Sequence, residues 1–269
     1  MAARLIDAGF RVRAYNRSSE RGAWLAERGA VVVDDPVAAV RGVEAVVVCL
    51  ADDAAVTATL LDPGTVDAMS PGSLLVDTGT TGLATFALVA ERAEAAGLEV
   101  LDAPMTGSKL GAEGGRLTFM VGGPAERLER ARPLFDAMGR HVVHAGPRLG
   151  DGFRIKYCLN MTQAVVLQGV LEGYALAKAQ GLTIEALAEV FEHSAGKTGV
   201  GSFKTPYLQQ TDFTPHFRLT LMNKDLRLAL EQAPDRLPLA EAVRAVYERA
   251  EAEGLGELDF LATARLLGL

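Results

Sequence analysis

Two polar side chains in the middle of the chain have a spacing that suits proton transfer. Lys156 and Asn160 are four residues apart, so in a helix they lie on the same face. A partly buried lysine can donate a proton to a reacting oxygen, because desolvation weakens its hold on the proton. A lone lysine near a helix start more often extends its ammonium group into solvent. The chemistry therefore depends on which other residues surround Lys156.

A second polar cluster follows the first predicted strand. Asn16, Arg17 and Ser18 come directly after the run that ends at Tyr15. In a dinucleotide-binding fold, an acidic residue here bonds the ribose of NAD, whereas an arginine pairs with the 2′-phosphate of NADP. No acid is present, so Arg17 and Ser18 favour NADP if the rest of the fold is of that type. The alternative is that Arg17 is a solvated loop charge.

Two further loops follow predicted strands, at the edge of a sheet where ligands bind. Leu50 and Ala51 end the most apolar strand, and only their backbone groups are expected to contact a cofactor. Asp52 is explained by capping the next helix. Thr80 lies in the loop Asp77-Thr78-Gly79-Thr80-Thr81, whose hydroxyl groups suit either a ribose or a helix cap.

The loop after residue 102 has the composition of an anion site. It contains Thr106, Gly107 and Ser108, and further glycines follow up to Gly115. Small residues with free backbone N–H groups can surround a carboxylate or a phosphate. A plain surface turn has a similar composition, but the glycines favour close approach of the backbone to a ligand.

Seven short apolar runs in the first half of the sequence indicate strands. Several lack alternation, as in Val46-Val47-Val48-Cys49-Leu50, which is typical of strands covered on both faces in a parallel sheet. Amphipathic segments between them predict helices, so we expect an α/β domain with a doubly wound sheet. The strands are predicted at 11–15, 30–33, 45–50, 74–77, 99–102, 117–122 and 141–145, and the helices at 20–28, 83–96 and 125–138.

The second half of the sequence has a different pattern. After Gly152 we find no convincing strand, only helical stretches interrupted by glycine and proline. A first helix near 153–180 would be roughly 40 Å long and is suited to link two domains. We therefore predict a dinucleotide-binding domain at 1–148 and an all-α domain at 149–269, with Lys156 where they meet. On a later helix, the adjacent Lys224 and Asp225 are expected to reach different partners.

Composition disfavours several other classes of protein. The 269 residues include 27 basic and 34 acidic side chains, a net charge of −7, without a basic run that would suit nucleic acid. No apolar stretch approaches the roughly 18 residues of a membrane-spanning helix, and the N-terminus lacks a signal-peptide pattern. Two cysteines and four histidines form neither a disulfide framework nor a metal-ligand spacing. We expect a cytoplasmic globular protein without a metal.

The chain carries five short motifs in order: Ala14-Tyr15-Asn16-Arg17-Ser18, Asp102-Ala103-Pro104-Met105-Thr106-Gly107, Met120-Val121-Gly122-Gly123, Lys156-Tyr157-Cys158-Leu159-Asn160-Met161 and Lys224-Asp225-Leu226. In this order and spacing they resemble the β-hydroxyacid dehydrogenase family, and the resemblance extends over nearly the whole chain. It implies a Rossmann-type α/β domain followed by a helical domain. It also implies NAD(P)-dependent interconversion of a small β-hydroxyacid and its semialdehyde or keto acid, in a homodimer or homotetramer.

The resemblance implies a role for individual residues as well. Lys156 would act as the general acid and base, and Asn160 would orient the substrate or bond Lys156. Thr106, Gly107 and Ser108 would hold the substrate carboxylate. The implied cofactor contacts are Asn16, Arg17, Ser18, Leu50, Ala51, Thr80, Phe217 and Lys224.

Two departures from the family pattern refine the expected function. Leu159 stands where the family commonly has the first asparagine of a pair, which together with Arg17 favours an NADPH-dependent reductase of aldehyde acids over an NAD-dependent enzyme. Imine reductases are similar in fold but usually lack a lysine at position 156. Imine reduction is therefore the alternative that Lys156 disfavours.

The chain also begins inside a helix that the family places after a first strand and a glycine-rich turn. Met1-Ala2-Ala3-Arg4-Leu5 matches that helix, and the sequence contains no Gly-x-Gly-x-x-Gly segment. The first strand is central in a doubly wound sheet, so its absence predicts two unpaired strand edges. We favour a start codon placed too late, which an in-frame stop codon directly before Met1 would exclude. The alternatives are a truncated chain with weak cofactor binding, or a catalytically silent dimerisation scaffold.

Overall fold

The computed structural model describes all 269 residues and divides them into two compact units, Met1–Lys156 and Tyr157–Leu269. The first unit is of the α/β class and the second is helical, as the sequence pattern predicts. No helix in either unit combines the length and the apolar character needed to cross a lipid bilayer.

Eight strands form in the first unit, and seven of them coincide with the predicted apolar runs. β6 has only two residues and is absent from the predicted set. The strands are β1 Arg13–Tyr15, β2 Val31–Val33, β3 Ala45–Val48, β4 Leu74–Asp77, β5 Glu99–Asp102, β6 Met105–Thr106, β7 Leu117–Gly122 and β8 Gly139–Gly146.

Six α-helices accompany these strands, and two of them confirm the predictions at 83–96 and 125–138. The helix predicted at 20–28 is wrong, because this segment forms two short 3₁₀ turns, Ser19–Arg21 and Ala23–Arg28. Gly22 and Gly29 bound the second turn, and six residues between glycines are too few to offset the cost of starting an α-helix. The helices are α1 Ala2–Asp7, α2 Pro36–Val40, α3 Asp53–Val56, α4 Leu83–Ala95, α5 Ser108–Glu113 and α6 Ala125–Met138.

The main sheet is mixed, whereas the apolar runs of the sequence indicate parallel strands only. Its strands follow the order β3-β4-β5-β7-β6, and β8 pairs with β7. β3, β4 and β5 are parallel, whereas β7 is antiparallel to both β5 and β6. The chain forms β6 directly after Pro104 and then turns back through the six-residue α5, so it enters β7 from the opposite end.

β1 and β2 form a separate parallel sheet of two strands. Neither sheet pairs with the other, so β1 and β3 each have one unpaired edge, as expected for a doubly wound sheet without its central strand. β3 is also shorter than predicted and ends at Val48. Cys49, which the sequence pattern places inside a buried strand, follows β3 and is exposed.

The core of the first unit lies between the buried strands and α6. Residues of α6 at spacings of three and four form one apolar face, which belongs to the same cluster as side chains of β4, β5 and β7. Full burial of each large apolar side chain contributes about 1.5–3 kcal/mol. Members of this cluster include Leu74, Leu101, Leu117, Phe119, Val121, Leu128, Phe135 and Met138.

The second unit is built from helices around a single apolar core. One long helix, α7 Asp151–Ala179, begins in the first unit and continues into the second, and four further α-helices follow it. They are α8 Ile184–Glu192, α9 Gly199–Gln209, α10 Leu219–Gln232 and α11 Pro238–Ala252, and a 3₁₀ segment, Phe260–Leu267, ends the chain. The buried core includes Leu167, Leu171, Tyr174, Leu219, Met222, Leu226, Tyr247 and Leu261.

The start of α7 lies directly against the end of β7, and two glycines make this approach possible. A Cβ atom added at Gly152 would lie 2.2 Å from the carbonyl oxygen of Met120 and 2.7 Å from Asp102 Oδ2. A Cβ atom at Gly122 would lie 2.5 Å from Asp102 Oδ1 and 2.6 Å from the backbone nitrogen of Gly152. The strand and the helix therefore meet at a separation that excludes any side chain.

We expect Gly152→Ala to lower the free energy of unfolding by about 3 kcal/mol, because the backbone of β7 or α7 must move to admit the methyl group. Gly169→Ala is the matched control, since Gly169 lies in the same helix and a methyl group there would meet nothing within 4 Å. This control should stabilise the chain by about 0.5–1 kcal/mol. Urea unfolding of both variants measures the difference, and equal stabilities would contradict the close packing of α7 on β7.

Candidate active site

The loops after β3 and β4 meet at the carboxyl edge of the main sheet. A Cβ atom at Gly79 would lie 2.9 Å from the carbonyl oxygen of Leu50, so the two backbones are in direct contact. Thr78 reinforces this contact, because its hydroxyl donates to the carbonyl oxygen of Val48 at 2.7 Å. The structure therefore brings Leu50 and Thr80, both predicted cofactor contacts, to neighbouring loops.

Acidic side chains hold the same loops in place. Asp77 accepts hydrogen bonds from the backbone N–H of Gly79 and from the Thr81 hydroxyl, each at 2.8 Å. Asp53 accepts one from the backbone N–H of Gly82 at 2.7 Å, which joins the loop after β3 to the loop after β4. Asp52 caps α3 by accepting from Ala55 at 2.8 Å, and this accounts for its presence at the strand end.

The predicted carboxylate-binding residues form a sharp turn between β6 and α5. Thr106 ends β6, and Gly107 and Ser108 both have positive φ, at +127° and +60°. A residue with a side chain, such as Ser108, takes this left-handed backbone only at a cost of about 1 kcal/mol or more. Such strain is concentrated at ligand sites, and Thr106 and Ser108 are each partly exposed.

The loop after β1 is ordered by a local hydrogen bond. The side-chain amide of Asn16 donates to the carbonyl oxygen of Ser18 at 2.7 Å, which closes the loop around Arg17. Arg17 is exposed and Ser18 is partly exposed. The Asn16 side chain thus fixes the loop that carries the two predicted phosphate ligands.

Lys156 lies near the start of α7, one turn after residues that a buried carboxylate holds. Asp102, at the end of β5, accepts hydrogen bonds from the backbone N–H groups of Gly150 at 2.7 Å and Phe153 at 2.9 Å. Burial raises the pKa of Asp102 to about 6; the two amides oppose this rise, and the Asp77 carboxylate adds to it. Lys156 itself is 7% exposed.

Asp102 is a buried residue near Lys156 that sequence reasoning did not single out, although it begins one of the five motifs. The available signal was an acidic residue at the end of an otherwise apolar strand, two residues before a proline. Its partners are 48 and 51 residues away in the sequence, so no local pattern could reveal them.

In the second unit, Asn160 is part of a buried polar cluster with α10. Its side-chain amide donates to Asp225 Oδ2 at 2.5 Å, and Asp225 is fully buried. The prediction that Lys224 and Asp225 reach different partners is wrong, because Lys224 Nζ lies 2.8 Å from Asp225 Oδ1. The long lysine side chain folds back over its neighbour, which the simple rule for adjacent helical positions does not consider. Sequence reasoning singled out Asp225 but did not predict that it joins Asn160 to Lys224.

Phe217 lies in the segment before α10, and Asp259 holds this segment. Asp259 Oδ2 accepts hydrogen bonds from the backbone N–H groups of His216 at 2.9 Å and Phe217 at 3.2 Å, while its Oδ1 accepts from Lys204 Nζ at 2.6 Å. Lys204 and Asp259 are both almost completely buried. The ring of Phe217 is 6.3 Å from that of Phe260.

These donors fit a nicotinamide dinucleotide. Backbone groups and hydroxyls at the ends of parallel strands suit ribose and amide groups, and an exposed guanidinium group after β1 suits a phosphate. No residue described here is assigned to the pyrophosphate.

Comparison with family models assigns both halves of the chain. Residues 1–146 match the model for the NAD binding domain of 6-phosphogluconate dehydrogenase. Residues 150–267 match the model described as NAD-binding of NADP-dependent 3-hydroxyisobutyrate dehydrogenase.

Named relatives cover almost the whole chain. An NAD-dependent L-serine dehydrogenase and a 3-hydroxyisobutyrate dehydrogenase, both from Pseudomonas aeruginosa, are 34% and 35% identical to it, over 99% of this chain and 93% of their own. The structure of Mycobacterium tuberculosis 3-hydroxyisobutyrate dehydrogenase with L-serine has a TM-score of 0.88 at 29% identity, and the match covers 99% of this chain and 94% of that one. The chain is thus an NAD(P)-dependent oxidoreductase that belongs to the β-hydroxyacid dehydrogenase family.

Proposed function

We propose that this enzyme interconverts a small β-hydroxyacid and its semialdehyde, with NADPH as the preferred reductant. The two Pseudomonas relatives are named for 3-hydroxyisobutyrate and L-serine. Both compounds have a primary alcohol on the carbon β to a carboxylate, and they differ only in the α-substituent, which is a methyl or an ammonium group. The proposed substrate class is therefore a 3-hydroxypropanoate with a small α-substituent, or the corresponding semialdehyde.

The observation that carries this proposal is the place of Lys156 in α7. Lys156 is buried, and it follows by one turn the residues that Asp102 holds against the sheet. Asn160, one turn further along the helix, is fixed by Asp225. A buried lysine on a fixed helix has few alternative positions, which suits a group that must transfer a proton to one particular oxygen.

Lys156 supplies and accepts the proton in the proposed reaction. The bound, reduced nicotinamide supplies a hydride to the carbonyl carbon of the substrate. The Lys156 ammonium group donates a proton to the carbonyl oxygen, which becomes the hydroxyl group of the product, and the neutral amine regains its proton from water. In the oxidising direction the neutral amine accepts the hydroxyl proton. Asn160 orients the substrate oxygen or the Lys156 amine.

The substrate carboxylate is proposed to bind at the turn between β6 and α5. The Thr106 hydroxyl and the backbone N–H groups of Gly107 and Ser108 are its donors. The left-handed backbone of Ser108 supports this assignment, because a strained turn persists where its geometry has a use. Several donors on one short turn can bind both oxygens of a carboxylate.

NADP is proposed as the preferred cofactor, with NAD the weaker alternative. Arg17 and Ser18 would bind the 2′-phosphate, because a guanidinium group and a hydroxyl both donate to phosphate oxygens. Asn16 orders this loop through its bond to Ser18. No acidic residue occurs among residues 11–19 that would instead bond the ribose hydroxyls of NAD.

The remaining proposed cofactor contacts come from both units. Leu50 and Ala51 contribute backbone groups, and Thr80 contributes its hydroxyl. Lys224 and Phe217 are proposed to contact the cofactor from the second unit. Their support is local, since Asp225 pairs with Lys224 and Asp259 holds the backbone at Phe217.

A homodimer or homotetramer is part of the proposal. The apolar face of α8 packs on the core of the second unit through Ile184, Leu187, Ala188 and Phe191, but none of these side chains is fully buried. Leu176, Leu182 and Val190 are each more than half exposed. We assign these three side chains to the interface, because apolar surface exposed on a single subunit often marks a contact with another subunit.

We expect Lys156→Met to reduce kcat by about a hundredfold or more, because the reaction loses its proton donor. NADPH affinity should change little, since the lysine acts on the substrate. Steady-state kinetics measure the change in kcat, with 3-hydroxyisobutyrate, L-serine, glyoxylate, succinic semialdehyde and tartronate semialdehyde as the substrates. Calorimetric titration with NADPH measures the cofactor affinity.

Lys178→Met is the control for Lys156→Met, because Lys178 lies in the same helix and is exposed. Full turnover by Lys156→Met would contradict the proposed role of this residue. A wild-type chain that turns over none of these acids would favour the silent scaffold, and amine formation without hydroxyacid turnover would favour imine reduction.

Arg17→Asp should lower the preference for NADPH over NADH, expressed as the ratio of their kcat/KM values, by about tenfold or more, since a charge-assisted bond to the phosphate is lost. Arg11→Asp makes the same change in charge just before the other end of β1 and should leave the ratio unchanged. An unchanged ratio in Arg17→Asp would remove this residue from the cofactor site.

Sedimentation equilibrium should give a mass of two or four times 28.4 kDa for the wild-type chain. Leu182→Glu should shift this mass toward the monomer, because a charge in an apolar interface loses its hydration. Leu88→Glu is matched in chemistry and exposure but lies in the first unit, and it should leave the mass unchanged. A monomeric wild-type chain would refute the oligomer.

A further inference from the structure

Asp102 is the one buried carboxylate that joins the main sheet to the start of α7. It lies at the end of β5 and is fully buried. Oδ1 accepts from the backbone N–H of Gly150 at 2.7 Å, and Oδ2 accepts from that of Phe153 at 2.9 Å. Each oxygen thus serves a different residue at the helix start.

The cap of α7 differs in origin from the other side-chain caps in this chain. The first N–H groups of a helix lack partners within it, and a nearby side chain usually accepts from them. In α2, α3, α8 and α9, the capping residue directly precedes its own helix. In α7 the accepting carboxylate comes from a strand about fifty residues earlier in the chain. This cap therefore fixes the helix start relative to the sheet.

The surroundings of Asp102 leave no room for an alternative arrangement. Gly122 and Gly152 lie so close that a Cβ atom on either would be within 2.8 Å of an Asp102 oxygen. A displaced helix start would leave a buried carboxylate and two buried N–H groups without partners, and each such loss is costly. The start of α7 is therefore held at a single position.

Lys156 follows Phe153 by three residues, less than one helical turn. A rigid helix transmits any shift or rotation of its first turn directly to this side chain. We propose that Asp102 is the positioning residue for Lys156 and sets where its ammonium group meets the substrate oxygen. The inference rests on the proposed function of Lys156, but the physical link between the two residues can be measured without it.

Asp102→Asn is the variant that tests this link. The amide presents an N–H₂ group to one of the two backbone N–H donors, so one bond is lost while the size of the side chain is kept. Asp35→Asn is the matched control, because Asp35 caps α2 through two backbone N–H groups and that helix carries no proposed site residue. Asp102→Ser, a smaller and uncharged capping residue, replaces Asp102→Asn if the latter does not fold.

Two measurements need neither cofactor nor substrate. Amide hydrogen exchange at residues 150–156 should become about tenfold faster in Asp102→Asn, as expected for loss of a bond worth ~1.4 kcal/mol. Reductive methylation by formaldehyde and cyanoborohydride, followed by mass spectrometry, should modify Lys156 several times faster in Asp102→Asn than in the wild-type chain. Asp35→Asn should change exchange in α2 alone.

Kinetics provide the third measurement. If the wild-type chain is active, Asp102→Asn should lower kcat by about tenfold to a hundredfold, because a displacement of the order of 1 Å has that effect on catalysis. The KM for NADPH should stay within about twofold, which a general loss of structure would not allow. Asp35→Asn should retain the wild-type kcat.

Unchanged exchange at 150–156, or unchanged methylation of Lys156, in a folded Asp102 variant would overturn the inference whatever the activity of the chain. Faster exchange and methylation with an undiminished kcat would overturn it as well. A wild-type chain without dehydrogenase activity would refute the proposed function, while exchange and methylation would still decide whether Asp102 holds Lys156.

Discussion

Two buried carboxylates at adjacent strand ends organise the first unit. Asp77 and Asp102 are partners in the register of β4 and β5, so they lie side by side. An ionised carboxylate in an apolar interior is costly unless donors surround it. Asp77 accepts hydrogen bonds from a backbone N–H and a hydroxyl group of the next loop. Asp102 accepts them from two backbone N–H groups at the start of α7. The requirement to satisfy these oxygens shapes the loops at the site.

The burial of Asp102, with a smaller contribution from the neighbouring Asp77 carboxylate, also makes the stability of the first unit sensitive to pH. Between about pH 4 and about pH 6, the folded chain holds the Asp102 proton more tightly than the unfolded chain does, because the pKa of Asp102 is raised above its ordinary value. The contribution of this group to the free energy of unfolding therefore falls as pH rises through that window and is constant above it.

The second unit contains buried ion pairs, with Lys204 beside Asp259 and Lys224 beside Asp225. Breaking such a buried pair is costly, so each pair specifies one geometry.

The sequence was informative where the signal is local. Unbroken apolar runs such as Val46-Val47-Val48 located the strands, and the spacing in α6 located that helix to the residue. The sequence did not reveal the direction of β7, because that direction depends on how the short segment around α5 turns the chain. The sequence also contains no sign of the bond between Asp225 and Asn160, because these residues are 65 positions apart. The catalytic and cofactor roles of the predicted site residues stay predictions, because they concern contacts with molecules other than the chain itself.

The unpaired edges of β1 and β3 have backbone groups that can pair with an additional strand. Their outward N–H and C=O groups are a hydrogen-bonding template for any extended apolar segment, from another copy or from an added peptide. Each template is short, three residues in β1 and four in β3, so an additional strand must gain most of its affinity from apolar side chains. Cys49 lies just beyond the end of β3 and is exposed, so the rate at which its thiol is alkylated reports whether the edge is covered.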